Sequence, residues 1–204
     1  MHTRSMNEKK QRSDRDDLIW SVLVAALLIG LLLFRAVSDL IHLFSTPGAV
    51  TVDAPIPAQE ITAQIGGGAA AIVSEGALVV SGVNTVSMVS LVLAIVLTAA
   101  AFIAASALAL TACLRLLRGH LFDRTNVRLL FWLSMSLLAA WLCNDAFQVM
   151  GLNGVFAALD GEFTGQAAIA FSDVGTLIAA IGVGVLVIIF RRGAALERET
   201  EGLV

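Results

Sequence analysis

Three polar groups break into the apolar helices of this chain, and they hold the residue types best suited to chemistry. Arg35, Ser38, Asp39 and His42 recur at i, i+3, i+4 and i+7, which is one stripe of a helix. Asn144 and Gln148 stand four apart with Asp145 beside them, and Ser172, Asp173 and Thr176 make a third group. Ionisable groups in apolar surroundings are costly unless paired or hydrated, so these residues suit ion pairing or the binding of an ion, a proton or a small polar ligand. Two readings stand. In the favoured one, Arg35 pairs with Asp145 or Asp173, locks helix ends together and snorkels to the interface. In the other, Arg35, Asp39, His42, Asn144, Asp145 and Asp173 line an outward-facing polar vestibule. A metal site on His42, Asp39 and Asp145 is disfavoured, because one His and scattered carboxylates match no ligand spacing. No nucleotide loop, nucleophile elbow, paired-Cys site or HExxH occurs in the sequence. The chain is therefore read as non-enzymatic, with no cofactor and no metal.

Depth along the helices gives the polar groups a common level. Arg35 lies 17 residues beyond Leu18, Asp145 lies 17 beyond Arg128, and Asp173 lies 18 before Arg191. At 1.5 Å per residue each step is roughly 26 Å, close to the thickness of a hydrocarbon core. The elements that hold them are four apolar runs, 18–44, 86–114, 129–150 and 172–190. With 58% hydrophobic and 14% charged residues, the chain lacks the polar groups to cover its apolar surface in water. The lipid bilayer must cover it. The expected fold is an all-α membrane protein: a four-helix transmembrane domain over 18–190, with a small external loop subdomain containing a short β-hairpin.

Charge sets the expected orientation. Twelve of the thirteen Lys and Arg residues fall at 4–15, 115–128 and 191–198, and only Arg35 stands apart. Basic residues stay on the cytoplasmic side of short-looped membrane proteins. Both termini and the 115–128 turn are thus expected inside the cell membrane, and 45–85 and 151–171 outside. Residues 1–17 read as a disordered tail and 191–204 as a cytoplasmic tail. The run from Leu18 to Phe34 is longer than a usual signal-peptide core and has Arg35 at its end, so it is expected to be retained. Cys113 and Cys143 fall near opposite ends of their spans, too far apart for a disulfide.

The connection 45–85 holds all three prolines (Pro47, Pro55, Pro57) and Gly66-Gly67-Gly68. Its alternation at 49–53 and its apolar run at 77–80 predict two short strands. The stretch 67–81 is too short for a fifth span, includes Glu75 and would invert every later segment. Small residues in the second run (Thr98, Ala99, Ala100, Ala101, Ala104, Ala105, Ser106, Ala107 and Ala109) and the fourth (Gly175, Ala179, Ala180, Gly182 and Gly184) mark these two as the expected packed centre. Residues 86–96 extend beyond the level of Arg35, so Val86, Met88, Val89, Leu91 and Val92 need cover. Leu40, Ile41, Phe44 and the loop 49–81 are the expected source.

Two stretches carry a family resemblance. Arg118-Gly119-His120-Leu121-Phe122-Asp123-Arg124-Thr125-Asn126-Val127-Arg128, entering a span, resembles the G-x-x-F-x-x-x-N-x-R turn of the bacterial membrane family catalogued as domain of unknown function 2975. The C-terminus from Phe190 to Val204 resembles that family's F-x-x-G-x-x-L-x-x-E-x-x-x-x-V ending. The resemblance covers most of 18–204 and implies four spans. Some members of the family are encoded beside small helix-turn-helix regulators, which implies a signalling role. Independently, both stretches are expected in the cytoplasm. There Arg118, Phe122, Arg124 and Arg128 could dock Leu196, Glu197 and Glu199 through opposite charges, at about 0–1 kcal/mol for each exposed pair. A solvated tail is the equal alternative. Expected partners are the bilayer and either a second copy or a membrane or regulatory protein, with no direct contact to nucleic acid. The rival function is a small transporter or channel subunit using the outer polar cluster. The almost wholly apolar middle of each span argues against a pore within one protomer.

Overall fold

The computed structural model describes residues 2–62, 70–118, 123–159 and 174–201. Its elements in order are α1 (His2–Leu43), β1 (Ala49–Thr62), β2 (Ala70–Ser81), α2 (Thr85–Leu117), α3 (Arg124–Ala157) and α4 (Val174–Glu201). Four stretches are long and apolar enough to cross a membrane: Ile19–Leu43, Thr85–Leu117, Arg124–Ala157 and Val174–Gly193. The expected spans are therefore present, with shifted ends. Residues 2–17, expected to be disordered, belong to α1. Once a span has formed, extending its helix needs no new nucleus, and the Glu, Lys, Gln and Arg of this segment propagate a helix well. The same holds at the C-terminus, where α4 continues through 191–201.

The helix starts are written in their caps. Asn84 accepts the Ser87 N–H on its side-chain oxygen at 2.8 Å, which caps α2. The Asp123 carbonyl accepts the N–H of Asn126 at 3.0 Å and of Val127 at 3.2 Å, which opens α3. After α1 the chain reverses through Thr46-Pro47-Gly48-Ala49, closed by Ala49 N–H to the Thr46 carbonyl at 3.2 Å. Proline in the second position and Gly48 at φ 77° in the third fit a type II turn.

The hairpin is longer than the sequence predicted. β1 and β2 pair antiparallel from Ala49↔Ser81 to Pro55↔Glu75, then again from Gln59↔Val73 to Thr62↔Ala70. The irregularity between Pro55 and Gln59 absorbs Pro57, which has no N–H to give to a ladder. Gly66-Gly67-Gly68 lies outside the described residues.

The described chain forms two compact units. One comprises Met1–Phe34, Ala99–Trp141 and Asp173–Val204. In it Ser134 Oγ donates to the Ala180 carbonyl at 2.8 Å, a buried bond from α3 to α4. The Ser21 hydroxyl meets Cys113 Sγ at 3.6 Å, joining α1 to α2. Cys113 and Cys143 are both free thiols.

The other unit comprises Arg35–Thr98 and Leu142–Ser172. Its core is Leu43, Val50, Val52, Ala54, Val80, Leu91, Leu152, Val155 and Phe156, with Met88, Val92 and Ile95 packed beside it. The hairpin base thus sits on the ends of three helices. The cover differs in detail from the expectation. Ile41, Phe44, Val86 and Val89 are exposed, whereas Leu43 and the last turns of α3 do the covering. Those turns, 151–157, which carry Gly151 and Gly154, had read as part of the outer connection 151–171. Here these glycines bring α2 close: a Cβ on Gly151 would stand 3.3 Å from the Leu91 backbone nitrogen. This close approach of α2 and α3 was not expected; on α4 Ala180 alone is buried among the residues whose side chains are described. On α2 the buried Ser87, Leu91, Ala94, Ala105 and Ala112 lie on one helix face.

Candidate functional site

The residues expected to form one outer polar cluster sit in separate local pairs. Arg35 Nε reaches Asp39 Oδ2 at 3.8 Å, one turn along α1, with the two side chains 83% and 49% exposed. Among the described residues Arg35 makes no ion pair with Asp145, and Asp173 lies outside them, so the cross-helix lock is not formed to Asp145. The reason is geometric: a carboxylate four residues away on the same face is within reach without any tertiary contact. His42 Nε2 faces Asp53 Oδ2 of the hairpin at 3.9 Å, so the histidine belongs to the hairpin's base and not to a vestibule with Asp145. Asn144 Nδ2 donates to Gln148 Oε1 at 3.4 Å along α3. Asp145 is partly buried and has no hydrogen bond or ion pair among the described residues.

Two buried polar atoms were not anticipated. Thr98 Oγ1 and Trp141 Nε1 are sealed from solvent without a hydrogen-bond partner among the described residues. The signal for Thr98 was present in the sequence, as a polar residue on the heptad frame that holds Leu91 and Ala105.

The turn between α2 and α3 has its own network. Arg115 Nε donates to Asn126 Oδ1 at 3.0 Å, and its terminal nitrogen pairs with Asp123 Oδ2. Asn126 is buried, at 1% exposure, so this bond ties the last turn of α2 to the first of α3. The Asp123 carboxyl is held below the usual carboxylate range, first by the Thr125 backbone N–H, against some desolvation, then by the Thr125 hydroxyl and by Arg115. Arg115 had served only as a marker of orientation, yet it is what closes the turn.

The expected docking residues are spread over this same unit. Arg118, Arg124 and Arg128 are exposed, and Arg124 and Arg128 share one helix face, four apart. Phe122 lies outside the described residues, as do the side chains of Leu196, Glu197 and Glu199, whose backbone continues α4.

Four apolar helices capable of spanning a membrane, with a two-stranded sheet carried on a small core, define the class: a multi-pass membrane protein. No family model, curated protein or solved structure matches the chain.

Proposed function

We propose that this chain is a non-enzymatic component of the cell membrane, with both termini in the cytoplasm, that binds a protein partner through its hairpin unit and relays a signal. The observation that carries this reading is the anchorage of the hairpin. A two-stranded hairpin is marginal in water, yet here its base is held by a nine-residue apolar core on three helix ends. Such a platform presents exposed positions, Asp53 and Val79 among them, on a rigid support. Charge supports the orientation. Twelve of the thirteen Lys and Arg residues belong to the unit holding both termini, while the hairpin unit carries seven acids and Arg35. The likeness to domain of unknown function 2975 supports the signalling role, with Arg118, Arg124 and Arg128 as the cytoplasmic docking face. A small transporter or channel subunit is the second reading, and Asp145, within a span and without a partner among the described residues, favours it.

Site-specific photo-crosslinkers in native cells test the proposal. Probes at Asp53 and Val79 should give a discrete protein adduct, whereas probes at the exposed Ile181 and Ile188 of α4 should label lipid. Hairpin probes that yield no protein adduct would refute partner binding at this surface.

A further inference from the structure

Two arginines and an aromatic pair share one exposed face at the start of α3. Arg124, Arg128 and Trp132 follow one another at four-residue steps, and Phe131 stands seven beyond Arg124. All four side chains are exposed. They fall within a sector of about 100° around the helix. The buried Asn126, Ser134 and Ala140, which pack inward, lie outside that sector. The rings of Phe131 and Trp132 meet edge to face, with centroids 5.6 Å apart.

The charge on this face is unbalanced. Like charges one turn apart destabilise a helix, and neither Arg124 nor Arg128 pairs with a carboxylate among the described residues. Asp123, next in the chain, is committed to Arg115. An anion bridging the two guanidiniums would relieve their repulsion. Successive turns set Cβ atoms about 5–6 Å apart, which lets both forks reach one phosphate. Depth decides which phosphate. The span begins at Arg124, and Arg124 to Trp132 cover about 12 Å along the axis, the scale of a headgroup and interfacial layer. A soluble phosphate would leave the two rings uncovered. Tryptophan settles at the membrane–water interface, where its indole N–H is a donor for an ester carbonyl. Ala139, exposed in the same sector one turn or two deeper, leaves an open path for an acyl chain.

We propose that Arg124, Arg128, Phe131 and Trp132 form a binding site for one anionic phospholipid, with the arginines on its phosphate and the rings against its glycerol and first methylenes. The site takes the membrane-side end of the face assigned above to docking. It rests only on α3 spanning the bilayer, so its failure and that of the hairpin's partner are separate results.

The test is thermal unfolding of the full chain in maltoside micelles, at one pH and ionic strength. Phosphatidylglycerol, phosphatidylcholine or glycerol phosphate is titrated in. Phosphatidylglycerol should raise the midpoint saturably, by several degrees. Phosphatidylcholine has the chains without net charge and glycerol phosphate has the anion without chains, so neither should match it. Arg124→Gln with Arg128→Gln should weaken half-saturation by about tenfold or more, and Trp132→Leu should weaken it by a smaller factor. Arg191→Gln with Arg192→Gln removes the same charge from exposed arginines of the same unit and should leave half-saturation nearly unchanged. Equal midpoints in the two lipids would overturn the site. Equal losses in the two double variants would do so too, because they would show diffuse attraction to every arginine. A full rise with glycerol phosphate would assign the arginines to a soluble anion and overturn the lipid. Should the Arg124 and Arg128 variant fail to fold, Trp132→Leu decides, because an unchanged half-saturation removes the site.

Discussion

A methyl group added at Gly154 would meet the Ser87 side chain, and one at Gly151 would lie 3.3 Å from the Leu91 backbone nitrogen. Neither α2 position can swing away, because Ser87 and Leu91 are themselves buried. Gly154→Ala should therefore cost about 1–3 kcal/mol, the usual range for overpacking. Adding Ser87→Gly should recover most of it. Thermal unfolding in detergent measures both, and a single variant as stable as the parent would contradict the close crossing. Asp123 gives a prediction in pH. Its folded pKa lies below the unfolded value, so its contribution is fully present above about pH 4 and is lost as pH falls through the folded pKa. Asp123→Asn keeps a capping oxygen but should remove this share of the acid sensitivity. Superimposable acid-unfolding profiles for variant and parent would count against it. At this scale the sequence showed residue types and missed partners. The pairing of Asp123 with Arg115 depends on a turn that folds two helix ends together.

Arg35 shows how an element reassigns a residue. Read as the one cation among several acids, it implied a costly cross-helix lock. On α1 it pairs with Asp39 in the open, and exposed pairs of this kind contribute at most about 1 kcal/mol. Arg35→Ala should accordingly shift thermal stability in detergent by less than about 1 kcal/mol. A loss several times larger would restore the buried network. The hairpin depends far more on apolar contacts. Phe156, 6% exposed, sits in the core beneath β1 and β2. Phe156→Ala should cost about 3–5 kcal/mol and open the hairpin base to added protease, while a parent-like digestion pattern would place the support elsewhere. The alternation at 49–53 announced a strand, and that was local information. The length of both strands was not legible, because it rests on pairing across Ala49↔Ser81 and beyond.

For the whole molecule the proposed topology makes a two-sided prediction. In a variant whose Cys113 and Cys143 are replaced by Ser, a cysteine at Glu75 should react with an impermeant reagent on intact cells. A cysteine at Thr125, an exposed position at the start of α3, should react only after permeabilisation. The reverse pattern would invert the orientation. The quantities that sequence alone determined here are sums over neighbouring residues. Transfer of some twenty apolar side chains to lipid marks each span, and the placing of twelve basic residues in three segments carries the proposed orientation. Such sums do not depend on which way a helix is turned. What tertiary structure alone decided is everything that does depend on rotation and approach. It turned Gly151 and Gly154 from loop residues into a helix crossing, sent His42 to Asp53, and left Thr98 and Asp145 in the span without partners among the described residues. Partnership is settled within about 4 Å, the reach of an ion pair, and a helix turned by 100° carries the next side chain to another neighbour.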